Sequence, residues 1–410
     1  MREPLRHIKS AIINAPRWAK ITVKVLLTPT VIMLIILVAM SVSAVYDFAA
    51  PRPFSGPDIY NPYQNIDTTL GWKRAALHTH SRVDGILNEC EPTPAQICDE
   101  YAKYGYEIVH FSNHNEITKH PTMGTVPLYE HGYNARNFHV NVYGDNSVTW
   151  FDNPFPIFDF QRQFKLDMLA KGADMVQINH PQRVSGLDKE SLQRLGGYRI
   201  IELSEFVDDE HKEWDWALSA GRYSYGLFTD DLHRINRTQA IAIRSAMLNT
   251  PSGSYDDVVG TLQRGAFYSL YTPDYGHGDT TIKRAKNLAI PHISDIGVNG
   301  ATIYIMFDRC ADSIRFTGQN QRLLHTVYRS DSANYTMKEG DSYARITAYF
   351  ADGERIYSNP FARYDAAKMT TPFDAKHHSV NIFLTILYNT LLLAIIIALG
   401  VALYKLLRRW

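Results

Sequence analysis

The sequence predicts an α/β fold with a small antiparallel β subdomain, flanked by two membrane-spanning helices. Three observations carry that expectation. Long uncharged apolar runs lie near both ends of the 410-residue chain. Between them, short apolar runs alternate with amphipathic stretches, as strands and helices do in α/β proteins. From about residue 282 the pattern changes to polar–apolar alternation, the period of half-buried strands.

The first run, Val25 to Val45, carries no charge and follows Arg2, Arg6, Lys9, Arg17, Lys20 and Lys24, with only Glu3 against them. About 20 apolar residues cross the hydrocarbon of a bilayer. A cleaved signal peptide ending at Val42-Ser43-Ala44 is the competing reading, but the long basic leader and long apolar core favour a retained anchor. The second run, Ser379 to Tyr404, is followed at once by Lys405, Arg408 and Arg409, with Trp410 as an interfacial residue. Both basic flanks lie on the terminal sides of the runs. Positive charge stays in the cytoplasm, so both termini are expected there, with residues ~50–375 outside.

Residues 49–71, rich in Pro, Asn and Asp, read as a linker. Strands are then expected at Arg74–Leu77, Glu107–Ser112, Phe138–Tyr143, Met175–Asn179, Arg199–Leu203 and Tyr223–Thr229. Helices are expected at Pro94–Tyr104, Phe158–Lys171, Lys189–Leu195, Glu213–Ala220 and Tyr255–Arg264. Later, Ala301–Phe307, Arg322–Tyr328, Ser342–Phe350 and Arg355–Ser358 read as strands of the β subdomain, with Asp352-Gly353 at a hairpin turn.

Forty-two basic residues balance 42 acidic ones, so the electrostatic footprint of a nucleic-acid partner is missing and none is expected. Cys90, Cys98 and Cys310 are too few for a disulfide framework and lack zinc-ribbon spacing; Cys90 and Cys98 could pair in an oxidising compartment. Asn236-Arg-Thr and Asn334-Tyr-Thr match the glycosylation pattern, which is common by chance.

The chemistry collects where expected strands end. One end reads Leu77-His78-Thr79-His80-Ser81-Arg82-Val83-Asp84, and another Ser112-Asn113-His114. A third reads Asn179-His180-Pro181, and a late one Thr229-Asp230-Asp231-Leu232-His233. Parallel α/β barrels build active sites at that end of their strands. Residues i and i+2 of a strand share a face, so His78 and His80 can grip one ion, as can Asp231 and His233. Imidazole with carboxylate suits zinc, manganese or iron, whereas an all-oxygen set would suit calcium or magnesium. His110 is expected to pack inside a strand. His120, His131, His211 and His277 are expected in solvated loops, and His377 and His378 at the membrane interface.

In these motifs the chain resembles the PHP superfamily, named for polymerase and histidinol phosphatase, over roughly residues 72–270. The flanking segments Asp99–Tyr106, Trp216–Arg222 and Leu262–Tyr268 agree. The resemblance implies a distorted barrel of seven βα units holding two or three divalent transition metals, commonly manganese, zinc or iron. Carried over position by position, the implied ligands are His78, His80, Asp84, His114, Glu130, His139, His180, Asp231 and His233. Three departures stand out. Asn113 precedes His114 where the family usually has Asp, Asp84 follows His80 by four residues where many relatives use five, and Glu116 competes with Glu130.

The expected organisation is a cytoplasmic basic leader (1–24), a transmembrane helix (25–48), a linker (49–71) and a metallohydrolase barrel (72–281). A β subdomain (282–366), a linker (367–378), a second transmembrane helix (379–404) and a cytoplasmic basic tail (405–410) follow. The expected activity is a phosphatase or phosphodiesterase at the extracytoplasmic membrane face, a metal-activated hydroxide attacking phosphorus. Arg183 and Arg234 are candidate phosphate clamps, and Asp230 a candidate ligand-orienting residue or acid. The substrate would be a phosphate ester, lipid- or glycan-linked by preference because the site is tethered to a membrane. The competing functions are a non-catalytic membrane scaffold for envelope or glycan assembly and a metal-dependent amidohydrolase.

Overall fold

The computed structural model describes residues 16–85, 88–203 and 211–408. Arg2, Glu3, Arg6, Lys9, Arg409 and Trp410, invoked for the flanks, lie outside them. The chain begins with helix α1 (Arg17–Ala39) and strands β1 (Tyr46–Phe48), β2 (Asp58–Tyr60) and β3 (Lys73–Ala76). Helix α2 (Pro94–Ala102) leads to β4 (Ile108–Val109), β5 (Lys119–His120), β6 (Gly124–Thr125), β7 (Leu128–His131) and β8 (Val140–Tyr143). Then come α3 (Asp159–Ala170), β9 (Met175–Ile178), α4 (Lys189–Arg194), β10 (Ile200–Glu202), α5 (Lys212–Ser219) and β11 (Tyr225–Leu227). Strand β12 (Arg244–Leu248), α6 (Tyr255–Arg264), β13 (Phe267–Tyr271) and α7 (Thr280–Asn287) follow. The rest comprises β14 (Ile293–Asn299), β15 (Thr302–Gly318), β16 (Arg322–Thr336), β17 (Tyr343–Tyr349), β18 (Arg355–Tyr357), β19 (Phe361–Tyr364), β20 (His378–Val380) and α8 (Ile382–Arg408).

Local sequence explains the element ends. Helix α2 starts at a capping box: Gln96 N–H donates to Thr93 Oγ1 (3.3 Å), and Thr93 N–H donates to Gln96 Oε1 (2.9 Å). Helix α6 stops where Gly265 turns left-handed at φ 76°, a conformation that a Cβ disfavours. The Asp352-Gly353 turn joins β17 to β18, with Gly353 at φ 94°.

The expected barrel of parallel strands is not a continuous ladder. Among the described residues, β11-β10-β9-β8-β7 form one five-stranded sheet, parallel from β11 to β9 and antiparallel from there to β7. A hairpin, not a helical crossover, joins β7 to β8, so these strands must run in opposite senses. Strands β3 and β4 are parallel neighbours in an eleven-stranded sheet ordered β14-β15-β17-β18-β13-β12-β3-β4 along its main path. Two isolated parallel pairs, Thr79 with Leu232 and His114 with Glu130, link the two sheets. Strand β12 occupies the edge of β3 from Lys73 to Ala75, which leaves the chain after β11 to meet it only beyond Ala76.

The expected β subdomain is not a separate sheet either. Strand β18 pairs with β13, whose partner β12 runs beside β3. Alternation along β12 and β13 serves both sides: Ala246, Leu248 and Phe267 enter one core, and Met247, Tyr268 and Leu270 the other. Residues 49–71 are likewise part of the folded body, because β2 pairs with β19 and Tyr63 is buried.

Helices α1 and α8 are long and apolar enough to cross a membrane. They run antiparallel with their basic ends together, where Lys24 Nζ donates to Leu407 O at 3.0 Å. Helix α1 ends at Ala39 rather than continuing to residue 48. Beyond it, Ser43 and Val45 give their backbone groups to Asn389 and Thr385 of α8: Asn389 Nδ2 donates to Ser43 O (2.8 Å), and Val45 N–H donates to Thr385 Oγ1 (2.9 Å). Strand β1 then pairs with β20. Cys90 and Cys98 are unpaired thiols.

Candidate metal centre

The site forms where the two sheets meet. Past β3, His80 N–H donates to Leu232 O (2.9 Å), holding the 229–233 turn against His78 and His80. Asp231 takes φ 50°, a left-handed value uncommon for a residue with a side chain, so a turn, not strand alternation, aims Asp231 and His233. At the other seam, Asn115 N–H donates to Glu130 O (2.8 Å) and Glu130 N–H to Asn113 O (3.2 Å). His139 immediately precedes β8. His180 follows β9 at φ 28°, a second strained position, directly before Pro181.

One carboxylate organises the cluster. Buried Glu130 lies with Oε2 3.3 Å from His78 Nε2, 3.2 Å from His80 Nε2 and 3.2 Å from His114 Nε2. Its Oε1 lies 3.3 Å from both His139 Nδ1 and His180 Nε2, and it accepts from Asn179 Nδ2 at 2.8 Å. Asp231 Oδ1 stands 3.2 Å from both His78 Nε2 and His80 Nε2. Among the described residues, three overlapping groups have donor atoms close enough to share an ion: His78, His80, Glu130 and Asp231; His80, Glu89 and His114; and His114, Glu130 and His139.

These residues fit a cation. Among the described residues, His78 Nε2, His80 Nε2 and Asp231 Oδ1 are buried atoms without a hydrogen-bond partner of acceptable geometry, a costly state unless something else satisfies them. Four ligands at ~2.1 Å from one tetrahedral ion sit roughly 3.4 Å apart, close to the separations here. The tautomers suit the same purpose. His78 Nδ1 lies 3.2 Å from Glu202 Oε2, so the proton belongs on Nδ1 and the Nε2 lone pair faces the cluster. His233 Nδ1 likewise faces the Asp231 carbonyl at 2.9 Å. The field is that of a cation trap: burial disfavours protonation of His80, yet Asp231 and Glu130 outweigh it and raise the imidazole to about 9. His114 is held down to about 4, burial outweighing Glu130.

Several expected site residues lie elsewhere. Asp84 is exposed and belongs to none of the three groups. Glu89, five residues later, stands instead 3.3 Å from His233 Nε2 and 3.5 Å from His114 Nε2. Asp230 points away from the histidines. Its carboxylate accepts from Tyr101 Oη (3.0 Å) and from the N–H groups of Ala242 (2.7 Å), Ile243 (3.1 Å) and Arg244 (2.8 Å). With its lone pairs so engaged, it orders the 242–244 backbone, and it belongs to none of the three groups. Arg183 reaches the cluster, its Nη1 2.7 Å from Asp231 Oδ2. Arg234 is exposed at a cleft of about 490 Å³ that Glu89, Gln96 and His233 also line. Glu116 joins none of the groups, and Asn113 braces the turn: its Oδ1 accepts from Ser81 N–H (2.7 Å) and its Nδ2 donates to Ser81 Oγ (2.8 Å).

Sequence reasoning missed Glu89 and Glu202. Glu89 sits in an unpatterned loop and left no signal. Glu202 had one, being an acid inside the apolar strand β10. His120, His131 and His211, expected in solvated loops, are buried, whereas His277 is exposed. His110 packs as expected, its Nε2 2.9 Å from Gly253 O.

No family model matches the chain, and no curated protein matches it. Among solved structures it is similar to a two-domain protein from Bacteroides vulgatus containing a predicted PHP-like metal-dependent phosphoesterase. The identity is 13%, over 77% of this chain and 100% of that one, with a TM-score of 0.37. A likeness at that score bears on neither fold nor activity, and the chemistry is read from the side chains.

Proposed function

We propose that the chain is a metal-dependent phosphoesterase, of the PHP kind its motifs resemble, held at a membrane by α1 and α8. The observation that carries the reading is the five imidazoles gathered on the Glu130 carboxylate, with Asp231 closing the set. Two or three divalent ions, manganese, zinc or iron, would be held by the three groups, with His180 and His233 at their margins. Such ions supply Lewis acidity and lower the pKa of a bound water toward neutrality.

The chain's own residues do the rest. Glu130 and Asp231 concentrate negative charge that keeps cations in the pocket, and Glu202 fixes the tautomer and angle of His78. Arg183 sits at the exposed mouth beside Asp231 and would meet the non-bridging oxygens of an incoming phosphate; Arg234 flanks the neighbouring cleft. During hydrolysis a water oxygen bonds to phosphorus as the ester P–O bond breaks. Guanidinium close to that phosphorus offsets the charge gathering on its oxygens.

The antiparallel spans support a body on one side of the bilayer and both termini on the other. Arg17, Lys20 and Lys24 share that far end with Lys405 and Arg408, which favours the cytoplasm for the termini and the outside for the body. The test is elemental analysis of detergent-purified full-length protein, with phosphate release from an aryl phosphate set against amine release from an amide-bearing control. Bound metal and phosphate release that His78→Ala abolishes are expected. Protein free of metal, and inert with manganese, zinc and iron alike, would defeat the reading.

A further inference from the structure

Between β8 and α3 the chain runs Trp150-Phe151-Asp152-Asn153-Pro154-Phe155-Pro156-Ile157-Phe158, and four of its large apolar side chains face outward. Trp150 is 63% exposed, Phe155 45%, Ile157 54% and Phe158 53%. Contiguous apolar exposure of this kind marks an interaction surface. The segment is built, not frayed. Buried Asp152 accepts from Tyr133 N–H at 2.8 Å and pairs with buried Lys165 at 3.2 Å, and Pro154 and Pro156 restrict the backbone.

Its position says what covers it. Phe158 stacks on Phe160 with ring centroids 5.3 Å apart, and Phe160 meets Tyr388 edge-on at 5.1 Å. Gln161 Nε2 donates to Tyr388 Oη at 3.2 Å. Tyr388 lies six residues into α8, about 9 Å along its axis at the usual rise. The apolar tip therefore lies level with the first turns of α8 and the end of α1, the depth at which aromatic side chains favour the headgroup boundary. At its other end the segment reaches the metal centre: Trp150 stacks on Tyr133 (6.3 Å), whose ring lies 6.3 Å from that of His114.

We propose that residues 150–158 seat in the bilayer surface beside the spans, and that the metal centre takes its phosphate ester from a membrane lipid whose tails stay in the bilayer. This rests on reading the centre as a phosphoesterase and α1 and α8 as spans, and it narrows the substrate class.

The test uses the full chain in phosphatidylcholine nanodiscs containing phosphatidic acid as probe. An environment-sensitive dye goes on Ile157→Cys in a Cys98→Ser/Cys310→Ser background, with Tyr328→Cys on β16, 70% exposed, as the aqueous control. Nitroxide-bearing lipids should quench the dye at 157 and leave it bright at 328. Equal quenching at both positions overturns the surface. In parallel, Phe155→Ser/Ile157→Ser/Phe158→Ser should lower phosphatidic acid turnover by about tenfold and a soluble aryl phosphate by less than about twofold. Equal effects on both substrates, or wild-type turnover of the aryl ester alone, overturn the lipid assignment. Wild-type protein that cleaves neither removes the phosphoesterase reading and the lipid substrate with it, and the quenching result still decides the surface.

Discussion

Glu202→Gln tests the centre without touching a residue that faces the cluster. Glu202 is buried, and its Oε2 takes His78 Nδ1 at 3.2 Å and His180 N–H at 2.7 Å, while Oε1 accepts from the Thr229 hydroxyl. A glutamine can keep its oxygen on His78 and His180 and turn its NH2 toward Thr229, so shape and bond count survive and only the charge is lost. A hydrogen bond to a charged group contributes about 1.5–3 kcal/mol and a neutral one about 0.5–1.5. The difference, about 1.4 kcal/mol, is a loss of roughly tenfold in metal affinity. Glu202→Ala also frees the His78 ring to turn, and its loss should approach about a hundredfold, the upper range for groups that orient a metal ligand. The assay is competitive zinc titration of metal-depleted full-length protein, with thermal melting of the metal-free forms as the folding control. Wild-type affinity in Glu202→Ala would refute the claim that His78 presents Nε2 to a cation.

Three further outcomes are expected. Glu89→Ala should lower metal stoichiometry in the purified protein, whereas Asp84→Ala should leave it at the wild-type value; the reverse pattern in elemental analysis would restore Asp84 to the site. Asp230→Ala strands three N–H groups and a phenol, so stability should fall by about 3 kcal/mol with the metal content of the folded fraction unchanged; metal loss at an unchanged melting temperature would contradict its structural role. Burial holds His110 down to about 4, against 6.5 in an unfolded chain. Its folded pKa is depressed, so its contribution is neutral above pH 6.5, and stability falls between pH 6.5 and 4 as the unfolded chain takes up a proton that the folded one refuses. That amounts to about 2 kcal/mol between about pH 7.5 and pH 5, and His110→Gln should flatten this part of the denaturation-midpoint profile; an identical slope in both proteins would refute it.

Much of the site was legible because short-range order carried it. His78, His80, His180, Asp231 and His233 stand just past apolar runs that become β3, β9 and β11, so the end of each run located a residue of the cluster. The helices were legible for the same reason: the amphipathic stretches Pro94–Tyr104 and Tyr255–Arg264 contain α2 and α6. The reasoning from strand alternation did not transfer to Asp231 and His233, because a left-handed residue there replaces the pleat.

The remainder depends on contacts between distant stretches of chain. The linear order of residues determined two apolar helices, an α/β body, and histidines and acids suited to a transition metal, since length, period and donor chemistry are local properties. Tertiary structure decided that Glu130 and not Glu116 lies among the histidines, that Glu89 and not Asp84 stands beside His114 and His233, that Asp230 braces backbone, and that the later strands extend the sheet of β3. Those outcomes are settled by which groups meet in space: across the seams at Thr79 with Leu232 and His114 with Glu130 for the cluster, at the 242–244 backbone for Asp230, and along the β13–β18 pairing for the sheet. A carboxylate acquires its role from the neighbours it is buried among, and no spacing in the chain encodes them.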